Sequence, residues 1–126
     1  MIERQWVLNP AREWIDAWNS NNLERTFSHY SEDFEMTSPL IVERMAEPSG
    51  ILRGKAAVRP YCTQGLAVEP PFRFELLNVL VAVKGITIYY RSIGRRIVAE
   101  VLEFSDREEV VRAAAYYAVP ESEPSY

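Results

Sequence analysis

The hydrophobic rhythm of the chain changes once, near residue 72, and that change restricts it to folds in which helices pack on a meander of strands that follows them. Ahead of it, Asn9-Pro10 reads as a helix start, with Asn as cap and Pro at the first helical position. Ala11, Trp14, Ile15 and Trp18 then recur at helical spacing. Asn19-Ser20-Asn21-Asn22 interrupts that helix, Asn22 is placed to cap a second one, and Leu23, Phe27 and Tyr30 carry its apolar stripe as far as Ser31. Phe34, Met36 and Ser38 alternate with polar residues in a short strand that stops at Pro39, and residues 40–53 read mostly as loop. Residues 54–68 have helical composition with Pro60 among them, so the helix either starts there or is kinked. Behind residue 72 come runs of strand character over 72–83, 86–92, 96–104 and 110–117, separated by Lys84-Gly85, by Gly94 and by residues 106–109. Four strands in that order make an antiparallel meander. The class is α+β, with the helices covering one face of the sheet.

A chain of 126 residues with 48% apolar content supports one core. Residues 1–118 are therefore read as one domain, and 119–126, which include Pro120 and Pro124, as a loose C-terminal tail. The net charge of −4 and the lack of basic residues interleaved with aromatics argue against nucleic acid as a partner. A lone cysteine, Cys62, and a lone histidine rule out a disulfide within the chain and the usual zinc spacings, so no metal or cofactor is expected. The first eight residues resemble neither a signal peptide nor a membrane span. A cytoplasmic location and no membrane partner are the resulting expectations.

Glu100 is the residue that composition explains least. It interrupts the apolar run Ile97-Val98-Ala99-Glu100-Val101-Leu102, where burial would disfavour its ionised form and lift its pKa into the range useful for proton transfer. Its direction depends on the hairpin around Gly94. A three-residue loop, Ile93-Gly94-Arg95, pairs Ser92 with Arg96 and puts Glu100 on the face of Ile88 and Tyr90. A two-residue loop moves it beside Tyr89 and Arg91. The competing structural role is an ion pair with Arg91, Arg96 or Arg112.

His29, the one imidazole of the chain and so a side-chain type suited to acid or base work, is the second catalytic candidate, although a helix end also suits a cation for purely structural reasons. Tyr30, Tyr61, Tyr90 and Tyr117 offer hydroxyls to a cavity, and Trp14 and Trp18 offer flat walls; ordinary core packing is the alternative for all six. Tyr117 shares a face with Ala113 and Ala115, whose small side chains leave room beside the sheet. Cys62, with no basic neighbour in sequence, reads as a small buried hydrophobe.

The order Trp14-Ile15-Asp16-Ala17-Trp18, Leu23, His29-Tyr30-Ser31-Glu32-Asp33 and Thr37-Ser38-Pro39, followed by Gly50-Ile51-Leu52-Arg53-Gly54-Lys55, the meander and Ala115-Tyr116-Tyr117, resembles the nuclear transport factor 2-like superfamily. Its SnoaL-like and ketosteroid isomerase-like branches are the most similar, over residues 9 to 118. The resemblance implies a cone-shaped, curled antiparallel sheet covered on its concave face by the N-terminal helices, an apolar pocket, and a homodimer. Steroid isomerases of this fold carry a Tyr on the first helix, an Asp before the proline that ends the first strand, and an Asp on a meander strand. The matching positions are Trp14, Ser38 and Glu100, so only the last keeps its acid, and the isomerase mechanism does not carry over.

The leading expectation is a pocket that binds a mostly apolar, cyclic small molecule, with room for acid–base chemistry of an isomerase, cyclase, dehydratase or hydrolase kind. Glu100 and His29 are the catalytic candidates, and Trp14, Trp18, Tyr30, Ser38, Tyr61, Ile88, Tyr90 and Tyr117 the ligand-binding ones. The alternative is a noncatalytic dimeric module that meets its partner through a sheet face carrying Leu77, Val79, Val81, Tyr89 and Tyr116.

Overall fold

The computed structural model describes residues 4–67 and 73–119. Within them the elements run α1 (Arg4–Asn19), α2 (Leu23–Phe27), β1 (Tyr30–Thr37), α3 (Pro39–Met45), β2 (Ile51–Arg53), α4 (Lys55–Leu66), β3 (Glu75–Val81), β4 (Gly85–Arg91), a 3₁₀ turn (Ile93–Arg95), β5 (Ile97–Phe104) and β6 (Val110–Tyr117). Nearly all of the tail expected over 119–126, and the start of the strand expected at Phe72, lie outside the described residues.

Two prolines sit inside helices. Asn9-Pro10 does not start α1, which runs through it from Arg4, and α4 likewise passes through Pro60 from Lys55. An interior proline costs about 3 kcal/mol, whereas each large apolar side chain buried returns roughly 1.5–3 kcal/mol. Burial of Trp14 and Ile15 on α1, and of Val58 and Tyr61 on α4, is enough to carry each helix through.

The second helix is shorter than its apolar stripe suggests. Asn22 caps it as expected, accepting from the Arg25 N–H, but it ends at Phe27 and Tyr30 opens β1 instead. A long-range pairing decides this: Tyr30 lies opposite Val110, and the Val110 N–H donates to the His29 carbonyl at 2.9 Å. Residues 40–53 are likewise more ordered than a loop. Ser38 caps α3 by accepting from the Leu40 N–H, Pro39 takes the first helical position, and β2 then pairs antiparallel with β1.

All six strands form one open, mixed sheet in the order β2-β1-β6-β5-β4-β3, with β2 and β3 at its edges. The expected antiparallel meander, β3 to β6, is present; β1 joins it through a parallel pairing with β6. Helices α1 and α4 pack on the face that carries Ile86, Ile88 and Tyr90 of β4, Val98 and Leu102 of β5, and Ala113 of β6. Gly85 is required at the start of β4, because a Cβ there would run into the Leu102 carbonyl. On the opposite face Tyr89, Val101 and Tyr116 are exposed. A bulge between Leu76 and Asn78 resets β3, so that Val79 and Val81, opposite Ile88 and Ile86, lie on the face of the core, and Leu80, opposite Thr87, lies on the outer face; Val79 and Val81 thus do not belong to the outer face.

Candidate functional site

The hairpin that decides the direction of Glu100 takes the three-residue form. Gly94 and Arg95 adopt left-handed backbone angles (φ 67° and 65°), and the Ser92 N–H donates to the Arg96 carbonyl at 2.7 Å. Ile88 then lies opposite Glu100, and Tyr90 opposite Val98. Glu100 consequently points to the helix-covered face and is 5% exposed.

There it lines a pocket of about 330 Å³. Trp14 and Trp18 of α1 and Phe74 form one apolar wall; the Trp14 and Phe74 rings stack at 5.9 Å with 17° between planes. Tyr90 tilts against both, 5.2 Å from Trp14 and 4.6 Å from Phe74. Asn19 holds Phe74 in place by bonding both of its backbone polar groups, at 2.9 and 2.6 Å, which ties the end of α1 to the approach to β3. The opposite side is made by Met36, Leu40, Cys62, Ala115 and Tyr117. Ala115 lies opposite Glu100 across the β5–β6 pair, and its small side chain leaves the space beside the carboxyl.

None of the three arginines that could neutralise Glu100 does so. Arg91 pairs with Glu75 at 2.9 Å, Arg112 with Glu103 at 3.0 Å and Glu35 at 3.6 Å, and the Arg96 guanidinium lies over the Tyr117 ring at 4.8 Å. Burial without a cation pushes the carboxyl from its ordinary 4.5 up to about 8, against the opposing pull of a hydrogen bond with Tyr90. At neutral pH Glu100 therefore holds its proton. It is a hydrogen-bond donor in an apolar enclosure, with a pKa matched to proton transfer near neutrality.

A second polar group lies in the same lining. Ser38 Oγ, besides capping α3, accepts from the Tyr61 hydroxyl at 3.2 Å and shares a hydrogen bond with Tyr117. Burial raises both phenols, Tyr61 to about 12, so they stay protonated. Cys62 is buried as expected, and burial lifts its thiol to about 12, which makes it wall and not nucleophile.

Three expected site residues lie elsewhere. His29 sits in the turn before β1, 46% exposed at its side chain, bonded to Glu13 at 3.0 Å together with Arg25. It opens on a separate hollow bounded by Pro10, Glu13, Leu102 and Val110, and does not meet Glu100. Tyr30 and Ile88 are buried in the core behind the pocket and do not line it. The Tyr30 hydroxyl accepts the Trp14 indole N–H at 2.9 Å, so that donor is turned away from a ligand. Trp14, Trp18, Ser38, Tyr61, Tyr90, Tyr117 and Glu100 do come together. Phe74 and Arg44, which the sequence did not single out, join them, as does Arg96, expected there only as a candidate ion-pair partner of Glu100.

This arrangement of helices, sheet and pocket can be set against known proteins. A family model described as the SnoaL-like domain matches residues 11–122. The chain belongs to the SnoaL-like domain family. A SnoaL-like protein of unknown function from Burkholderia thailandensis is 42% identical, with 94% of this chain and 98% of that one covered at a TM-score of 0.89. More distant structures share the fold. A candidate ketosteroid isomerase from Kribbella flavida is 18% identical, covering 92% of this chain and 80% of its own at a TM-score of 0.69. AclR, a candidate hydroxylase from Streptomyces galilaeus, is 16% identical, covering 92% and 91% at 0.71. No curated protein matches the chain. No helix among the described residues is long and apolar enough to cross a membrane.

Proposed function

We propose that this SnoaL-like chain binds a planar, mostly apolar cyclic molecule in the Glu100 pocket and acts on it by acid–base chemistry, with the Glu100 carboxylic acid donating to a ligand oxygen. The observation that carries this reading is a buried, uncompensated carboxyl on the wall of an aromatic-lined cavity. The ligand's ring system lies against Trp14, Trp18 and Phe74, and Tyr90 orients the acid. As negative charge grows on the ligand oxygen, a donor whose pKa lies close to neutrality strengthens its bond or hands over the proton. The reaction is not steroid isomerisation of the familiar kind. Ser38, at the position of the usual base, accepts from the Leu40 N–H and the Tyr61 hydroxyl and is a poor proton acceptor toward carbon.

The test is a panel of planar enones and lactones followed by thermal shift and calorimetry with the wild type and Glu100→Gln. Ligands are expected to bind the wild type below about pH 8 and to weaken as the acid ionises, whereas the amide variant binds without that pH dependence. A panel that never shifts the melting temperature, or affinity indifferent to pH in the wild type, overturns the proposal. A second reading, a noncatalytic dimer joined through the outer sheet face, draws support from Tyr116 and Leu80, 63% and 53% exposed. Sedimentation at low concentration decides it, since a stable monomer contradicts it.

A further inference from the structure

Ion pairs among the described residues engage only some of the arginines, and Arg12, Arg73, Arg95 and Arg107 stay outside both those pairs and the pocket lining. Arg25, Arg53, Arg59, Arg91 and Arg112 each meet a carboxylate. Arg44, in the last turn of α3, and Arg96, just ahead of β5, have no carboxylate partner among the described residues, yet both line the Glu100 pocket. The Arg96 guanidinium lies over the Tyr117 ring at 4.8 Å, and both guanidiniums lie close enough to favour the phenolate of Tyr117. They approach Tyr117 from different elements, and Tyr117 also shares a hydrogen bond with Ser38, which accepts from the Tyr61 hydroxyl at 3.2 Å. Among the described residues the only acid in the lining is Glu100, which burial keeps mostly protonated at neutral pH. The pocket is thus apolar in its depth, neutral at its acid, and doubly cationic at its rim.

Deepening the pocket reading and resting on it, we infer that the ligand is a planar monocarboxylate, its ring buried against the aromatic wall and its carboxylate held between Arg44 and Arg96. A guanidinium fork matches a carboxylate in geometry and charge, and two unpaired forks beside an apolar cavity favour such an anion over a neutral ring of the same shape. Water solvates both rim cations in the empty pocket, so the preference is of the size of one partly exposed charge-assisted contact.

Naphthoate and its neutral methyl ester make the comparison, titrated calorimetrically at neutral pH and low salt into the full chain. The wild type is expected to prefer the acid by about tenfold, and Arg44→Gln/Arg96→Gln to abolish the preference by weakening the acid alone. The ester serves as the internal control, and a double variant whose circular dichroism and melting match the wild type but which loses acid and ester equally contradicts the assignment; should it not fold, the single variants Arg44→Lys and Arg96→Lys make the same comparison. An ester bound as tightly as the acid by the wild type also overturns it while leaving the pocket reading intact. If neither compound binds, the pocket reading fails and takes the inference with it.

Discussion

Replacing Glu100 by Gln is expected to stabilise the protein in alkaline solution and to leave it nearly unchanged in acid. In the folded chain the carboxyl keeps its proton up to about 8, and in the unfolded chain only up to its ordinary 4.5. Between these values folding takes up a proton, so wild-type stability falls as pH rises through the window and levels off above it. The slope is about 1.4 kcal/mol for each pH unit in which only the folded carboxyl is protonated. From about pH 5 to pH 9 that amounts to about 4 kcal/mol, and water reaching the ionised carboxylate lowers the working figure to about 2–4 kcal/mol. An amide has no such dependence, and its oxygen can still accept from Tyr90. Urea unfolding of both proteins at several pH values isolates the effect, because every other titrating group cancels in the difference. The gap should widen in favour of the variant as pH rises. A gap that stays flat, or that increasingly favours the wild type, would mean that the carboxylate is ionised and paired, and the reasoning would be refuted.

Other residues give sharper local outcomes. Ser38→Ala removes the acceptor for the Leu40 N–H and the Tyr61 hydroxyl at a buried position, and should lower stability by about 1–2 kcal/mol in denaturant titration. Should Ser38→Ala unfold at the wild-type midpoint, the cap and the hydroxyl pair contribute nothing. His29→Asn breaks an exposed contact to Glu13 and should cost less than about 1 kcal/mol while leaving ligand affinity at Glu100 untouched; a large loss of affinity would place His29 in the site after all. The Cys62 thiol, buried and raised to about 12, should resist alkylation at mildly alkaline pH until the protein unfolds, and rapid labelling of the native protein would contradict its burial.

The division into helices and meander was legible because hydrophobic spacing is set locally, and the position of Glu100 within a strand was legible for the same reason. Its direction was not. It hangs on whether the turn at Gly94 uses two residues or three, a matter of backbone angles at Gly94 and Arg95 that the sequence allows either way. Tyr30 was misplaced on a helix because its pairing with β6 joins residues 80 positions apart, which no local pattern reports. Residues 38–45 were legible in principle, since Ser followed by Pro is a helix start; the turn chemistry of residues 47–50 outweighed it. Phe74 had no local signal, because two bonds from Asn19 place it in the pocket. Arg44 was hidden for another reason, and Arg96 was legible only as a candidate partner of Glu100, as an arginine declares itself only when the carboxylates around it are known to be engaged elsewhere.

The central claim is that Glu100 is a neutral acid facing a ligand pocket, and a carbon-13 NMR titration of its side-chain carboxyl reads this directly, with Glu100→Gln supplying the assignment. The account predicts a midpoint near 8, rising further when a ring compound bearing an oxygen acceptor occupies the pocket. A midpoint near 4.5, unmoved by any such compound, would contradict it.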